Sequence, residues 1–247
     1  MPCRASLIVI ALLAPIGVAW AEISSGALRY DARMSFLKAG ELSLELNRSG
    51  QDYEVAGEFQ TSRAMSTYYS WNGIFAAKGS WGEHGPVTKA YMSRTRSKDD
   101  DLKIVLNTEG GARLLDGPTS EFTNIEKPAG IDLISALFFS PGCFKGGVVH
   151  DGEDSYRLEL RSEKKKNLHS GANYYRGEVT NCDYNVRDHK DRKRRVVVSL
   201  AEIGDTTVAV QVRAKIPVLP DAVFKLRVPA NRPPTVAAAP RLAMVSH

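Results

Sequence analysis

Two places in this chain hold histidines suited to general acid or base work: His150, followed directly by Asp151, and His169, which follows the charged stretch Glu163-Lys164-Lys165-Lys166. A hydrolase using His150 or His169 needs one of them to face a pocket beside a nucleophile or an ordered water. Asp151-Gly152 is also an ordinary tight-turn dipeptide. Ser135 sits in Ile-Ser-Ala and lacks the G-x-S-x-G elbow that exposes a nucleophile at a sharp strand-to-helix turn. No catalytic residue is assigned on this pattern. The cysteines lack C-x-x-C spacing and no histidine pair sits at ligand distance, so neither a metal nor a cofactor is expected.

The densest charge runs from Arg187 to Arg195. There Lys190, Arg192, Lys193, Arg194 and Arg195 could grip the phosphates of an anionic envelope surface, either phospholipid headgroups or lipopolysaccharide. Asp188 and Asp191 dilute that field, and a solvated hairpin loop is the commoner outcome for such a run. Glu163-Lys164-Lys165-Lys166 reads as a second basic turn; if both lay at one end of a barrel they would form a basic rim. Aromatic residues gather at Tyr68, Tyr69, Trp71, Phe75 and Trp81. In an open barrel these could line an apolar groove for acyl chains, although such residues are more often plain core.

The elements that must position these groups begin after residue 21. Met1-Pro-Cys-Arg4, an apolar run from Ala5 to Trp20 and small residues at Ala19 and Ala21 have the form of a cleavable secretory leader. Cleavage after Ala21 and release to the periplasm are expected, and nothing later in the chain offers the ~20 apolar residues of a membrane helix. Contact with a membrane would then be peripheral at most. Export also argues against nucleic acid as a partner. Removing Cys3 leaves Cys143 and Cys182, which an oxidising compartment joins. Closing that loop is worth roughly 4 kcal/mol in the chain-entropy account. From Val228 onward Pro229, Pro233, Pro234 and Pro240 stand amid alanines, the composition of a disordered tail. The division expected is a signal peptide at 1–21, one β domain at 22–228 and a Pro/Ala-rich tail at 229–247.

Within the β domain, apolar residues alternate at Leu28, Tyr30, Ala32, Met34 and Phe36, at Leu42, Leu44 and Leu46, and at Tyr53, Val55, Gly57 and Phe59. Period two predicts strands with one buried face, and breaks at Lys38-Ala39-Gly40 and Asn47-Arg48-Ser49-Gly50-Gln51 predict hairpins. The rhythm resumes at 71–81, 90–97, 102–106, 147–150, 156–160, 174–184, 195–201 and 207–216. One segment departs from it. Ile131 to Phe139 begins after Pro128 and Gly130 and stops before Pro141-Gly142, and Asp132 is placed to cap a helix whose apolar face is Leu133, Ile134, Leu137 and Phe138. That face plugs the core or forms part of a groove. In the groove reading, Leu133, Leu137 and Phe138 join the aromatic cluster.

Tyr30-Asp31, Lys38-Ala39-Gly40, the stretch Gly130-Ile131-Asp132-Leu133-Ile134-Ser135-Ala136-Leu137-Phe138, Cys143, the strand Val149 to Leu158, and Gly177 with Cys182 resemble, in that order, a proteobacterial periplasmic family called domain of unknown function 3108. The likeness spans about residues 26 to 228 and departs after Cys182, where a basic run replaces a more neutral loop. It implies an antiparallel open or spiral β barrel, a half-barrel around one short apolar helix, similar to the cell-envelope integrity protein B fold. No catalytic residue comes with the family. The expectation is a mainly β, monomeric, non-enzymatic envelope protein that binds a lipid-like ligand or a partner protein. The alternatives are the hydrolase above and a scaffold docked on anionic lipid through its basic loops.

Overall fold

Alternating apolar residues need a hydrogen-bonded neighbour on each side before they can bury one face, and here a single sheet supplies it. The computed structural model describes residues 27–67, 70–82, 85–97, 102–117, 121–204, 206–215 and 221–228. The leader, the Pro/Ala-rich tail, Tyr68 and Tyr69 lie outside the described residues.

The first half of the chain is a meander: β1 (Leu28–Met34), β2 (Leu37–Ser49), β3 (Asp52–Thr61), β4 (Trp71–Gly82), β5 (Gly85–Ser97), β6 (Leu102–Thr108), β7 (Gly111–Asp116) and β8 (Thr123–Ile125). A single helical turn, α1 (Arg63–Ser66), capped by Ser62, separates β3 from β4. The chain then crosses to β9 (Ile131–Asp132), α2 (Leu133–Phe138) and β10 (Gly147–His150). It returns through β11 (Ser155–Leu168), β12 (Gly177–Arg187), β13 (Lys193–Ile203), β14 (Thr206–Lys215) and β15 (Ala222–Leu226). β15 pairs with the free side of β1, so the hydrogen-bonded order runs β8 to β1, then β15 down to β9. Every pairing is antiparallel except that of β9 with β10. The sheet does not close on itself, and the open β half-barrel around a short apolar helix is the architecture observed.

What brings the two halves together is side-chain and backbone contact rather than a further ladder. The Thr88 N–H on β5 reaches the Gly130 carbonyl at 3.4 Å, and the Thr88 hydroxyl accepts from the Asp132 N–H at 2.7 Å. The turn between β10 and β11 docks on β5 and β6, where the Asn107 amide donates to the Gly152 carbonyl at 3.0 Å. Gly152 has φ +103°, and a Cβ there would come within 2.2 Å of the Tyr91 ring, so only glycine fits.

Asp132 caps α2 as its sequence position implied: its carboxylate accepts from the Ser135 N–H at 2.8 Å. Ala136, Leu137 and Phe138 are buried in the concave face, and the Phe138 ring meets Tyr30 edge-on at 5.3 Å. Tyr30 is fully buried and satisfies its hydroxyl on the Ala209 carbonyl at 2.8 Å. The loop after α2 is fastened to β12 by the Cys143–Cys182 disulfide.

Two local expectations are corrected. The first hairpin turns at Ser35-Phe36, with Ser35 at φ +55°, and not at Lys38-Ala39-Gly40, which is strand in β2. Gly40 serves a close approach instead, because a Cβ there would lie 2.5 Å from the Gln60 carbonyl oxygen. Glu163 to Lys166 are likewise not a turn; they belong to β11, which extends to Leu168.

Candidate ligand cavity

Between α2 and the inner face of β3 to β6 lies a cavity of about 520 Å³. Its lining follows from strand register: Phe59, Gly73 and Thr95 are cross-strand neighbours, as are Phe75 and Ser93. Gly73 and Ser93 place little or no side chain on the sheet, while Leu133, Ile134, Leu137 and Phe138 of α2 stand opposite. Val196, Val212, Ala214 and Phe224 from β13 to β15 complete the apolar wall.

One flank is aromatic. Phe59 lies 4.9 Å from Trp71 and 6.4 Å from Phe224, and Phe224 lies 6.3 Å from Phe138, centroid to centroid. Of the residues the sequence marked for a groove, Trp71, Phe75, Leu133, Leu137 and Phe138 line this cavity. Trp81 does not. It packs 6.0 Å from the Tyr53 ring with the Arg48 guanidinium 5.9 Å above it, at the other end of β4.

The other flank is polar and comes from the β10–β11 turn. Lys103 on β6 pairs with Glu153 at 2.5 Å, and Asp151 stands beside them. The Asp151 carboxylate accepts from the N–H groups of Glu153 and Asp154 at 3.1 and 2.9 Å and from the Tyr156 hydroxyl at 2.7 Å. This is the tight turn its sequence suggested. His150 also lines the cavity. It is buried, stands edge-on to Tyr91 at 5.6 Å, and its Nδ1 has no hydrogen-bond partner among the described residues. Burial pushes the imidazole below its ordinary pKa, against the attraction of Asp132 and Asp151 and with the help of Lys127.

Asp132 is the third group here, fully buried beside His150. Its oxygens are already occupied: the Ser135 N–H on one, the hydroxyls of Tyr53 and Thr88 on the other at 3.1 and 3.0 Å. Desolvation, with the Asp132 charge adding to it, raises the Tyr53 hydroxyl well above the ordinary tyrosine range. Ser135 is buried close to the Tyr53 hydroxyl, and its Oγ makes no hydrogen bond of normal geometry among the described residues. No hydrogen bond links Ser135, His150 and a carboxylate into a proton relay, and His169 is exposed beyond the end of β11. Sequence reasoning assigned no role to Thr88, Lys103 or Glu153; the contact of Asp132 with β5 and the docking of the β10–β11 turn on β6 bring them to this place.

The basic residues are split between two ends of the sheet. Lys190 and Arg192 lie in the β12–β13 turn, Lys193 to Arg195 open β13, and Arg157 on β11 faces Arg187 beside that turn. Lys164 to Lys166 pair with residues 179–181, near the opposite end of β12. No common rim forms. Arg192 is held by Asp188 at 2.6 Å, and Arg195 binds Asp183 with two hydrogen bonds of 2.8 and 2.6 Å. Lys190, Lys193 and Arg194 make no salt bridge among the described residues.

No helix among the described residues is long and apolar enough to cross a membrane. No group of three or more metal-ligating side chains is found among the described residues. Compared with known proteins, the chain matches no family model, no curated protein and no solved structure.

Proposed function

We propose that this is an exported envelope protein that holds a single-chain amphiphile in the cavity beneath α2, in support of envelope integrity. The observation that carries the reading is a ~520 Å³ space with a mostly aliphatic and aromatic lining, in which the charged groups are confined to one flank. That volume falls within the ~300–1,000 Å³ typical of small-molecule sites. The same pattern of apolar walls with a few polar anchors fits a hydrocarbon chain with one head.

The polar flank narrows the head group. Asp151 and Glu153 supply two carboxylates against one ammonium at Lys103, so a phosphate or a free carboxylate would meet net negative charge there. An uncharged head bearing hydroxyl groups can bond to the open Nδ1 of neutral His150 without that repulsion. Periplasmic location is supported by the leader-like first residues and by the buried disulfide, which suits an oxidising compartment.

The test is displacement of the uncharged fluorescent probe N-phenyl-1-naphthylamine from the purified protein. Saturable binding competed by a monoacylglycerol supports the proposal. Absence of saturable binding, with no hydrophobic ligand by mass spectrometry, removes the ligand reading and leaves a partner protein as the occupant of the half-barrel.

A further inference from the structure

The convex face of β11 to β14 has a different chemistry. Lys164, Lys166, Arg195, Arg213 and Lys215 line a concavity of about 490 Å³ on the side of the sheet away from α2. Its floor is polar, with Asn181, Ser199 and Gln211 adjacent across three strands. Ser199, itself buried, donates to the Asn181 side-chain oxygen at 2.7 Å. Asp183 is the one carboxylate in that lining, and Arg195 already holds both its oxygens; with Lys165, which Glu178 pairs from outside the lining, six cations stand against one anion, a surplus of five.

Solvated sheet faces ordinarily set opposite charges across from one another, because like charges in register destabilise the pair. Here Arg195 is directly opposite Lys215. A second concavity of about 390 Å³ adjoins the first through Arg213 and adds Arg33 and Lys225, with Asp221 3.5 Å from Arg213. Burial, and after it the charges of Arg33 and Arg213, push the Lys225 ammonium below its ordinary pKa. Unfavourable repulsion on a polar floor is what a bound anion relieves.

We propose that this trough binds a ligand carrying two or more phosphate groups. By register Lys164 is level with Gln211, three strand spacings of ~4.8 Å away, and Lys215 lies four residues further along β14, so the two backbones are roughly 20 Å apart; one phosphate cannot engage both sides and a multiply phosphorylated ligand can. The ligand is either a free polyphosphate or the phosphorylated head of an envelope glycolipid. The site is separate from the cavity beneath α2 and stands whether or not that cavity takes an amphiphile.

The experiment is calorimetric titration of the full chain with inorganic tripolyphosphate, alongside flotation with vesicles of phosphatidylcholine doped with a diphosphorylated lipid A. The triple variant Lys164→Gln, Arg213→Gln, Lys215→Gln is compared with a loop variant, Lys190→Gln, Lys193→Gln, Arg194→Gln. We expect the trough variant to lose roughly ten-fold or more of the affinity at an unchanged or raised thermal midpoint, the loop variant to keep it, and binding to weaken between about 0.05 and 0.5 M salt. Binding to tripolyphosphate identifies a free polyphosphate as sufficient; binding to vesicles alone, lost in the trough variant, identifies the lipid head. Equal binding by wild type and trough variant, loss only in the loop variant, or no binding in either arm at low salt overturns the proposal.

Discussion

Asp132 and His150 lie opposite each other in the parallel pairing of β9 with β10, both buried, and no hydrogen bond joins them. The carboxylate is turned to the helix cap and to the hydroxyls of Tyr53 and Thr88, and the imidazole is turned to the cavity. One residue therefore fastens the open edge of the sheet to β5 while its neighbour stays available to a ligand.

If Asp132 is that fastening, Asp132→Ala removes an N-cap and the shared acceptor of two buried hydroxyls, which at 2.9 Å from each other can satisfy only one of their two donors. The expected loss is about 2–4 kcal/mol, read as a lower denaturant midpoint in urea. A loss of a few tenths would show that the contact between β9 and β5 carries little stability.

Because burial lowers the His150 pKa in the folded state, the unfolded chain takes up a proton at His150 first as pH falls from about 6.5. Stability contributed by the neutral imidazole is full above about pH 6.5 and declines as pH falls toward the lower folded value. His150→Gln should flatten the stability profile over that window, measured by chemical denaturation at a series of pH values. An unchanged slope would contradict the assignment of a buried, neutral imidazole.

On the outer side of β1, Asp31 receives Arg227, Lys38 and the Tyr174 hydroxyl, the last at 2.8 Å, and Glu41 shares Arg227 and Lys38. Burial works to raise the Asp31 pKa, but these hydrogen bonds outweigh it and hold the carboxyl low; Glu41 is lowered chiefly by Lys38. The stabilisation is thus present above the ordinary carboxylate pKa of about 4 and disappears as pH falls through the lower folded values. Asp31→Asn should cost roughly 1–2 kcal/mol at neutral pH and little at pH ~2, tracked by thermal melts.

The disulfide closes a 39-residue separation between the loop after α2 and β12, and both cysteines are buried. Cys143→Ser with Cys182→Ser should lower stability by about 4 kcal/mol, and reductant should do the same to the wild type. Reduction that leaves the denaturant midpoint unchanged would mean the loop is held by α2 packing alone.

The alternation of Leu42, Leu44 and Leu46 with polar neighbours was enough to expose the sheet, and the Pro-bounded apolar segment capped by Asp132 was enough to expose α2. Gly40 misled because glycine signals both a turn and a close approach, and only the position of Gln60 tells them apart. β7, β8, β9 and β15 escaped notice: β8 and β9 are three and two residues, too brief to show a period, while Leu114-Leu115 in β7 and Ala222-Val223-Phe224 in β15 set apolar residues side by side and hide the alternation. The aromatic half of the cavity was legible as local clustering around Trp71 and Phe75. Its polar half was not, since Lys103 and Glu153 are fifty residues apart and meet only through the docking of the β10–β11 turn.

Head-group preference follows from the same turn. A monoacylglycerol should displace N-phenyl-1-naphthylamine more effectively than the fatty acid of equal chain length, because Asp151 and Glu153 oppose a carboxylate. Glu153→Gln should narrow the difference. A fatty acid that competes better than the glyceride in the wild type would reverse the assignment of the polar flank.

Native mass spectrometry of the purified protein, wild type beside Ser93→Trp, addresses the cavity most directly, since Ser93 lines the inner sheet face and an indole there occupies the space beneath α2. The wild type should carry one added single-chain lipid per polypeptide, and Ser93→Trp should be folded and bare. A wild type that is bare even after incubation with monoacylglycerol, or a Ser93→Trp protein that carries the same added mass, contradicts an amphiphile held beneath α2.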